Sequence, residues 1–213
     1  MFILKSIKII NSILRILFII MFLTGCSIDQ THTQPNRYYY LNPNQENIDI
    51  GRVAIVELDN DSGYPQIATE MTNALFESIQ KKQLFSLTIV RKRDDLWRSL
   101  QLDSNTAYSF KQMNSIREMT NCNGVLIGNI TEFKPYPHMT IGLRLKLTDL
   151  KDGQLIWAIE QVWNSSDKYT QKRIKKYLEN EKDSSQISIN KRLATISPLE
   201  FIKFISYEIA ETL

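Results

Sequence analysis

The chain has 213 residues, with 26 Lys and Arg against 23 Asp and Glu, a formal net charge of +3. Three of the positives, Lys5, Lys8 and Arg15, precede Cys26 with no acid among them, so the rest of the chain is balanced and offers no excess charge to a nucleic-acid partner. Its two cysteines, Cys26 and Cys122, exclude a cysteine metal cluster, and a hydrophobic content of 43% suffices for one core of ordinary size.

Ile16 to Leu23 is an unbroken apolar run behind the basic residues. It is too short for a spanning helix, which needs roughly 20 apolar residues, and has the layout of an export signal. Leu23-Thr24-Gly25-Cys26 follows directly. This pattern resembles the lipobox of bacterial lipoproteins, which implies a signal over 1–25, cleavage before Cys26, and acyl chains on that residue. Each buried methylene contributes about 0.8 kcal/mol, so two or three chains anchor durably. Ser27 in place of an aspartate implies an outer-membrane address on the periplasmic side.

Residues 26–50 read as a tether rich in Gln, Asn and Thr, with Pro35 and Pro43. Tyr38, Tyr39 and Tyr40 interrupt it. They read either as an arm or added edge strand on the domain, or as a contact for a partner or a neighbouring subunit. A single domain is expected over 51–213. Arg52 to Leu58 is a strand by its β-branched run. Asp59 to Gly63 is a loop, and Pro65 opens a helix to about Lys82 with Ile67, Met71, Leu75 and Ile79 on one face. Phe85 to Val90 is a strand, Arg91 to Asp95 a charged exit, and Thr106 to Asn121 a helix with Phe110, Met113, Ile116 and Met119 spaced for one face.

Gly124 to Phe133 is a strand that the prolines of Lys134-Pro135-Tyr136-Pro137-His138 end. In Met139 to Leu147, Met139, Ile141, Leu143, Leu145 and Leu147 alternate with Thr140, Gly142, Arg144 and Lys146. That period of two puts one face on a core and the other, bearing Arg144 and Lys146, on water or a partner. Asp152-Gly153 marks a hairpin, and Leu155, Trp157 and Ile159 carry the alternation back. Asp167 to Lys182 is a polar helix, and Pro198 opens a last helix with Leu199, Ile202, Ile205 and Ile209 on one side. The expected fold is therefore α/β (α+β), a mixed sheet of about five strands with helices packed on it, in the order β-α-β-α-β-β-β-α-α.

Three segments carry a second resemblance. LFSLTIVRKRD, NCNGVLIGNITEF and MTIGLRLKLTDLKDGQLIWA are similar to strands of a superfamily that includes the curli-secretion lipoprotein CsgG, the peptidoglycan-synthase activator LpoB, the exopolysaccharide lipoprotein PelC and the N-terminal domain of TolB. The resemblance covers roughly residues 51–163. It implies protein contacts in the envelope, and ring assembly in several members, without catalysis or cofactor. The Lys134 to His138 connection is too short for the long membrane-spanning hairpins of CsgG.

Residues with chemical potential read mostly as structure. Glu57, Asp59 and Asp61 are a solvated loop or an acid–base or metal cluster. His32 and His138 lack a second histidine at ligand spacing, and Cys122 reads as a core thiol rather than a partner for His138. Lys172, Arg173, Lys175 and Lys176 are a helix face or a contact for anionic headgroups, and Trp157 and Trp163 are sheet packing or a sugar platform. The reading is thus a non-enzymatic outer-membrane lipoprotein held by Cys26. It would bind envelope proteins, including copies of itself, through Tyr38, Tyr39, Tyr40, Arg144 and Lys146, in secretion or surface assembly. The alternatives are a regulator of a cell-wall synthase and a carbohydrate-acting periplasmic enzyme. Metabolic labelling with a fatty acid is expected to be lost in Cys26→Ser, and label that persisted would place the modification elsewhere.

Overall fold

A single mixed sheet organises the fold. In chain order the elements are β1 (Tyr39–Leu41), β2 (Arg52–Val56), β3 (Asp59–Asn60), α1 (Gln66–Lys82), β4 (Ser86–Val90), α2 (Asp95–Leu100), α3 (Phe110–Thr120), β5 (Gly124–Lys134), β6 (Thr140–Asp149), β7 (Leu155–Asn164), α4 (Lys168–Glu181) and α5 (Pro198–Ala210). The computed structural model describes residues 39–43, 50–100, 108–181 and 197–213. The chain divides into two compact units, Met1–Asn36 and Arg37–Leu213, and all of these residues belong to the second.

The seven strands lie in the order β1-β7-β6-β5-β2-β4, with β3 paired beside β5. β2 runs parallel to β4 and β5, while β5, β6, β7 and β1 are successively antiparallel. The class matches the sequence expectation and the strand count corrects it from about five to seven. One added strand is Tyr39–Leu41 against β7, within the stretch read as tether, where an added edge strand is one of the two readings of the tyrosines. The other is Asp59–Asn60, inside the stretch read as loop, which pairs with Asn129 and Ile130. Both are too short for a period-two pattern to register; only long-range pairing creates them.

One face of the sheet is sealed. Leu126, Ile130, Leu143, Leu145, Leu147, Trp157, Ile159 and Trp163 pack there in one cluster with Ile67, Met71, Leu75 and Ile79 of α1, and with Phe201, Ile202, Phe204, Ile205 and Ile209 of α5. The face expected for α5 through Leu199 is shifted: Leu199 is exposed, and burial spreads around the helix because α1, α4 and the sheet all touch it. The helix read as polar, α4, likewise buries Ile174, Tyr177 and Leu178, an i, i+3, i+4 stripe among its lysines. Asp167 caps it, accepting a 2.8 Å bond from the Thr170 N–H.

Among the described residues, the opposite face is covered only in part. A smaller cluster joins Ala54, Val56, Val90, Val125 and Ile127 to Met113 and Ile116 of α3. The capping box between Ser109 and Gln112 starts that helix. Of the four residues expected on its buried face, Phe110 and Met119 are exposed. Three-residue steps rotate the side chain by about 60° each, so positions 110 and 119 end up on opposite flanks of the stripe. Cys122 is buried in this cluster, and burial pushes its thiol up from the ordinary value, which keeps it protonated.

Gly128 permits the close approach of β5 and β6. A Cβ there would come within 2.3 Å of the Arg144 carbonyl oxygen and 2.4 Å of a Leu145 methyl. Gly128→Ala is expected to destabilise the protein by about 1–3 kcal/mol, the usual cost of overpacking, read as a lower urea midpoint at unchanged slope.

Candidate interaction face

The part of the sheet that α3 leaves uncovered belongs to β6, β7 and β1. Its rows follow from the register. Tyr40 lies opposite Ala158, which lies opposite Lys146. One step along, Arg144 lies between Asn129 on β5 and Glu160 on β7. One step further, Gly142 pairs with Val162. Alternate residues of a strand share a face, so Tyr40, Lys146, Arg144, Glu160 and Val162 stand on one surface. Val162 is 55% exposed and Tyr40 46% exposed.

The charges on this face are held locally. An Arg144 Nη donates to Glu160 Oε1 at 2.7 Å. The hydrogen bond raises the arginine further above its ordinary value and lowers the glutamate below its own. The pair is solvent-exposed on both sides, so it orients two side chains while adding little stability. The Lys146 ammonium stands 5.7 Å from the centroid of the Tyr108 ring, at the border with the covered part of the sheet.

Of the expected contact residues, the structure unites Tyr40, Arg144 and Lys146. Tyr39 pairs with Ile159 and so lies on the helix-covered side at the sheet edge, while Tyr38 and Cys26 lie outside the described residues. Sequence reasoning missed Glu160 and Val162. The signal was present: the alternation that turns Trp157 and Ile159 inward turns Ala158, Glu160 and Val162 outward, and a β-branched residue in the outward phase marks a surface with another use.

The carboxylates after β2 are separated by their partners. Glu57 accepts from the Thr69 hydroxyl at 2.6 Å and from the Lys92 N–H at 3.0 Å, with Arg91 at 4.0 Å. Burial opposes its charge, but these hydrogen bonds and the two cations outweigh it and hold the carboxyl below its usual range. Asp59 pairs with the Lys92 ammonium and Asp61 accepts from the Asn129 amide. Among the described residues, no group of three or more His, Cys, Asp or Glu could hold a metal ion. Cys122 precedes the first residue of β5 and His138 follows its last, so a strand about 35 Å long separates them; His32 lies outside the described residues.

The remaining candidates are structural. Trp157 and Trp163 are fully buried, donating to the Thr212 hydroxyl at 3.1 Å and to Glu208 at 2.8 Å. In the basic run of α4, Arg173 turns inward to Glu208 at 2.9 Å and Lys175 faces Glu179 at 3.7 Å. A groove of about 470 Å³ lies beside α1 and α5, with Lys81, Lys82 and Lys203 interleaved with Glu77, Glu200 and Glu211. That alternation gives the groove no net preference for an anion or a cation.

No family model matches the chain, and no curated protein matches its sequence. Among solved structures it is similar to lipoprotein GNA1162 from Neisseria meningitidis, at 11% identity over 76% of this chain and 99% of that one, with a TM-score of 0.45. It is similar to the PelC dodecamer from Paraburkholderia phytofirmans, at 15% identity over 70% of this chain and 87% of that one, TM-score 0.40. The LpoB C-terminal domain from Salmonella enterica is similar at 18% identity over 55% of this chain and 84% of that one, TM-score 0.40.

The depressed Glu57 value fixes a pH signature. A carboxyl lowered on folding stabilises above its unfolded value, about 4.3, and loses that contribution as pH falls through the lower folded value. Glu57→Gln is therefore expected to lower the urea midpoint at neutral pH, with the gap to the parent chain closing below about pH 4. A gap of constant size down to about pH 2 would refute the assignment.

Proposed function

We propose that this chain is a bacterial envelope lipoprotein, attached through Cys26, that acts by binding other proteins and catalyses no reaction itself. The observation that carries the reading is the open face of β6, β7 and β1. It sets an aromatic residue and an aliphatic one around an arginine–glutamate pair on a continuous sheet surface. Tyrosine and arginine are enriched at protein interfaces, and a rigid sheet presents them at low entropic cost. The lipobox supports the anchor, and the balanced charge beyond Cys26 favours a protein partner over a polyanion. The outer membrane as address, secretion or surface assembly as setting, and further copies of the chain among the partners complete the proposal.

A photo-reactive residue at Val162 tests it in intact cells. A discrete protein adduct at Val162, absent at Lys151 on the β6–β7 turn and abolished by Arg144→Glu, is the expected result. An adduct of doubled mass would identify a second copy. The absence of any adduct at Val162 would remove this face as the binding surface.

A further inference from the structure

The sheet has two ends, and they differ in chemistry. One end gathers the last residues of β2, β4, β5 and β7 with the first of β6 and β1, as the parallel pairs and the registers Lys134↔Thr140, Thr140↔Asn164 and Tyr39↔Ile159 require. Three exposed tyrosines sit there. Tyr136, on the turn between β5 and β6, is 85% exposed. Tyr64, before α1, is 47% exposed and meets the Phe133 ring edge-on at 5.1 Å. Tyr169, in the first turn of α4, is 61% exposed. The Ser165 N–H donates to the Met139 carbonyl at 2.8 Å, which brings the start of α4 beside the same turn.

The backbone of this tip suits a poorly hydrated setting. Pro135 and Pro137 lack N–H groups, so two of the donors that would otherwise need water are missing. Charged pairs border the rings: Lys134 meets Glu132 at 2.6 Å and Lys92 pairs with Asp59, while the Lys172 ammonium is 5.9 Å from the Tyr169 centroid. Tyrosine rings bordered by lysines are the composition of a membrane–water boundary. At the opposite end the turn Lys151–Gln154 and the residues Lys81–Gln83 are exposed and polar, with Leu84, Met119 and Leu155 among the exposed large apolar side chains and no exposed aromatic ring among the described residues of those segments.

The direction of β1 supports a bilayer as the occupant of this end. Its first residue, Tyr39, points toward the tyrosine-bearing end. β7 continues past Ile159, the partner of Tyr39, to Asn164, roughly 17 Å further. Fully extended, the stretch from Cys26 to Tyr39 spans at most roughly 45 Å, a length that permits an acyl group on Cys26 to enter a bilayer lying against this end.

We infer that the tip carrying Tyr136 and Tyr64 is a membrane-docking element, settling among the headgroups of the bilayer that holds the lipid on Cys26. The inference rests on the lipoprotein reading. Docking sets the orientation of the domain: the strands of the open face stand off the membrane, and their rows face sideways, open to a partner in the same plane.

The test uses the full acylated chain in vesicles of phosphatidylethanolamine and phosphatidylglycerol. An environment-sensitive fluorophore is placed on His138→Cys at the tip, with Lys151→Cys as the distal control. Both positions are exposed, and buried Cys122 with its raised pKa does not compete for label. The expected result is blue-shifted emission at 138, quenched by nitroxide-labelled lipids, with neither effect at 151. Tyr64→Ser combined with Tyr136→Ser is expected to abolish the quenching while flotation with vesicles and far-UV circular dichroism stay unchanged. A 138 probe as solvated as the 151 probe on a chain that floats would overturn the inference. So would a blue shift already present in the Cys26→Ser chain without vesicles, which would assign the cap to a protein contact. Flotation of Cys26→Ser equal to the parent would instead overturn the anchor, and tip quenching retained there would support docking on its own.

Discussion

One buried carboxylate ties the sealed half of the structure together. Glu208 of α5 is 7% exposed and receives the Trp163 indole N–H from β7 and the Arg173 guanidinium from α4. A carboxylate removed from water is tolerated only when paired and hydrogen-bonded, and removing one partner of such a pair costs roughly 3–5 kcal/mol. The three elements are therefore not independent. Trp163 must sit at the end of β7, α4 must fold back after the Ser165 turn, and α5 must lie between them. Trp157 repeats the arrangement one turn of helix further on, through Thr212.

That constraint explains why the two faces of the sheet have different fates. The C-terminal helix, held by Glu208 and Thr212, fills the space that α1 leaves on one side and completes a continuous core. On the other side α3 covers only the β4–β2–β5 portion. The long β5–β6–β7 meander extends past it, because its inward-facing leucines and tryptophans are already satisfied by α1 and α5. A surface that need not be covered for stability is free to be used for recognition, and Tyr40, Arg144, Glu160 and Val162 occupy it.

The carboxylates after β2 show the opposite outcome. Glu57, Asp59 and Asp61 are alternate residues of one short stretch, yet their partners come from α1, the turn after β4 and the middle of β5. Each charge goes into holding the rim of the sheet. The same end carries the tyrosines of the β5–β6 turn and of the loop before α1, so a braced rim supports an exposed aromatic cap.

Much of the architecture was legible from periodicity alone. The four-residue spacing of Ile67, Met71, Leu75 and Ile79 determined a helix and its buried face, and the strict alternation from Met139 to Leu147 determined a strand, its inner face and the outward placement of Arg144 and Lys146. These patterns suffice because burial of one face is a local property of the chain, repeated often enough to exceed noise. The Leu23-Thr24-Gly25-Cys26 pattern that resembles a lipobox is likewise confined to four residues. Tertiary structure alone decided the rest. The aromatic run at Tyr39 leaves an edge strand and a partner contact both open, and the two-residue strand at Asp59 gives no signal; neither has a period, and both exist because β7 and β5 offer unpaired edges. Whether Tyr40 shares a surface with Lys146 and Val162, and whether Arg173 faces lipid or Glu208, depends on which strands and helices become neighbours, and that is set by pairing across distances no local pattern encodes.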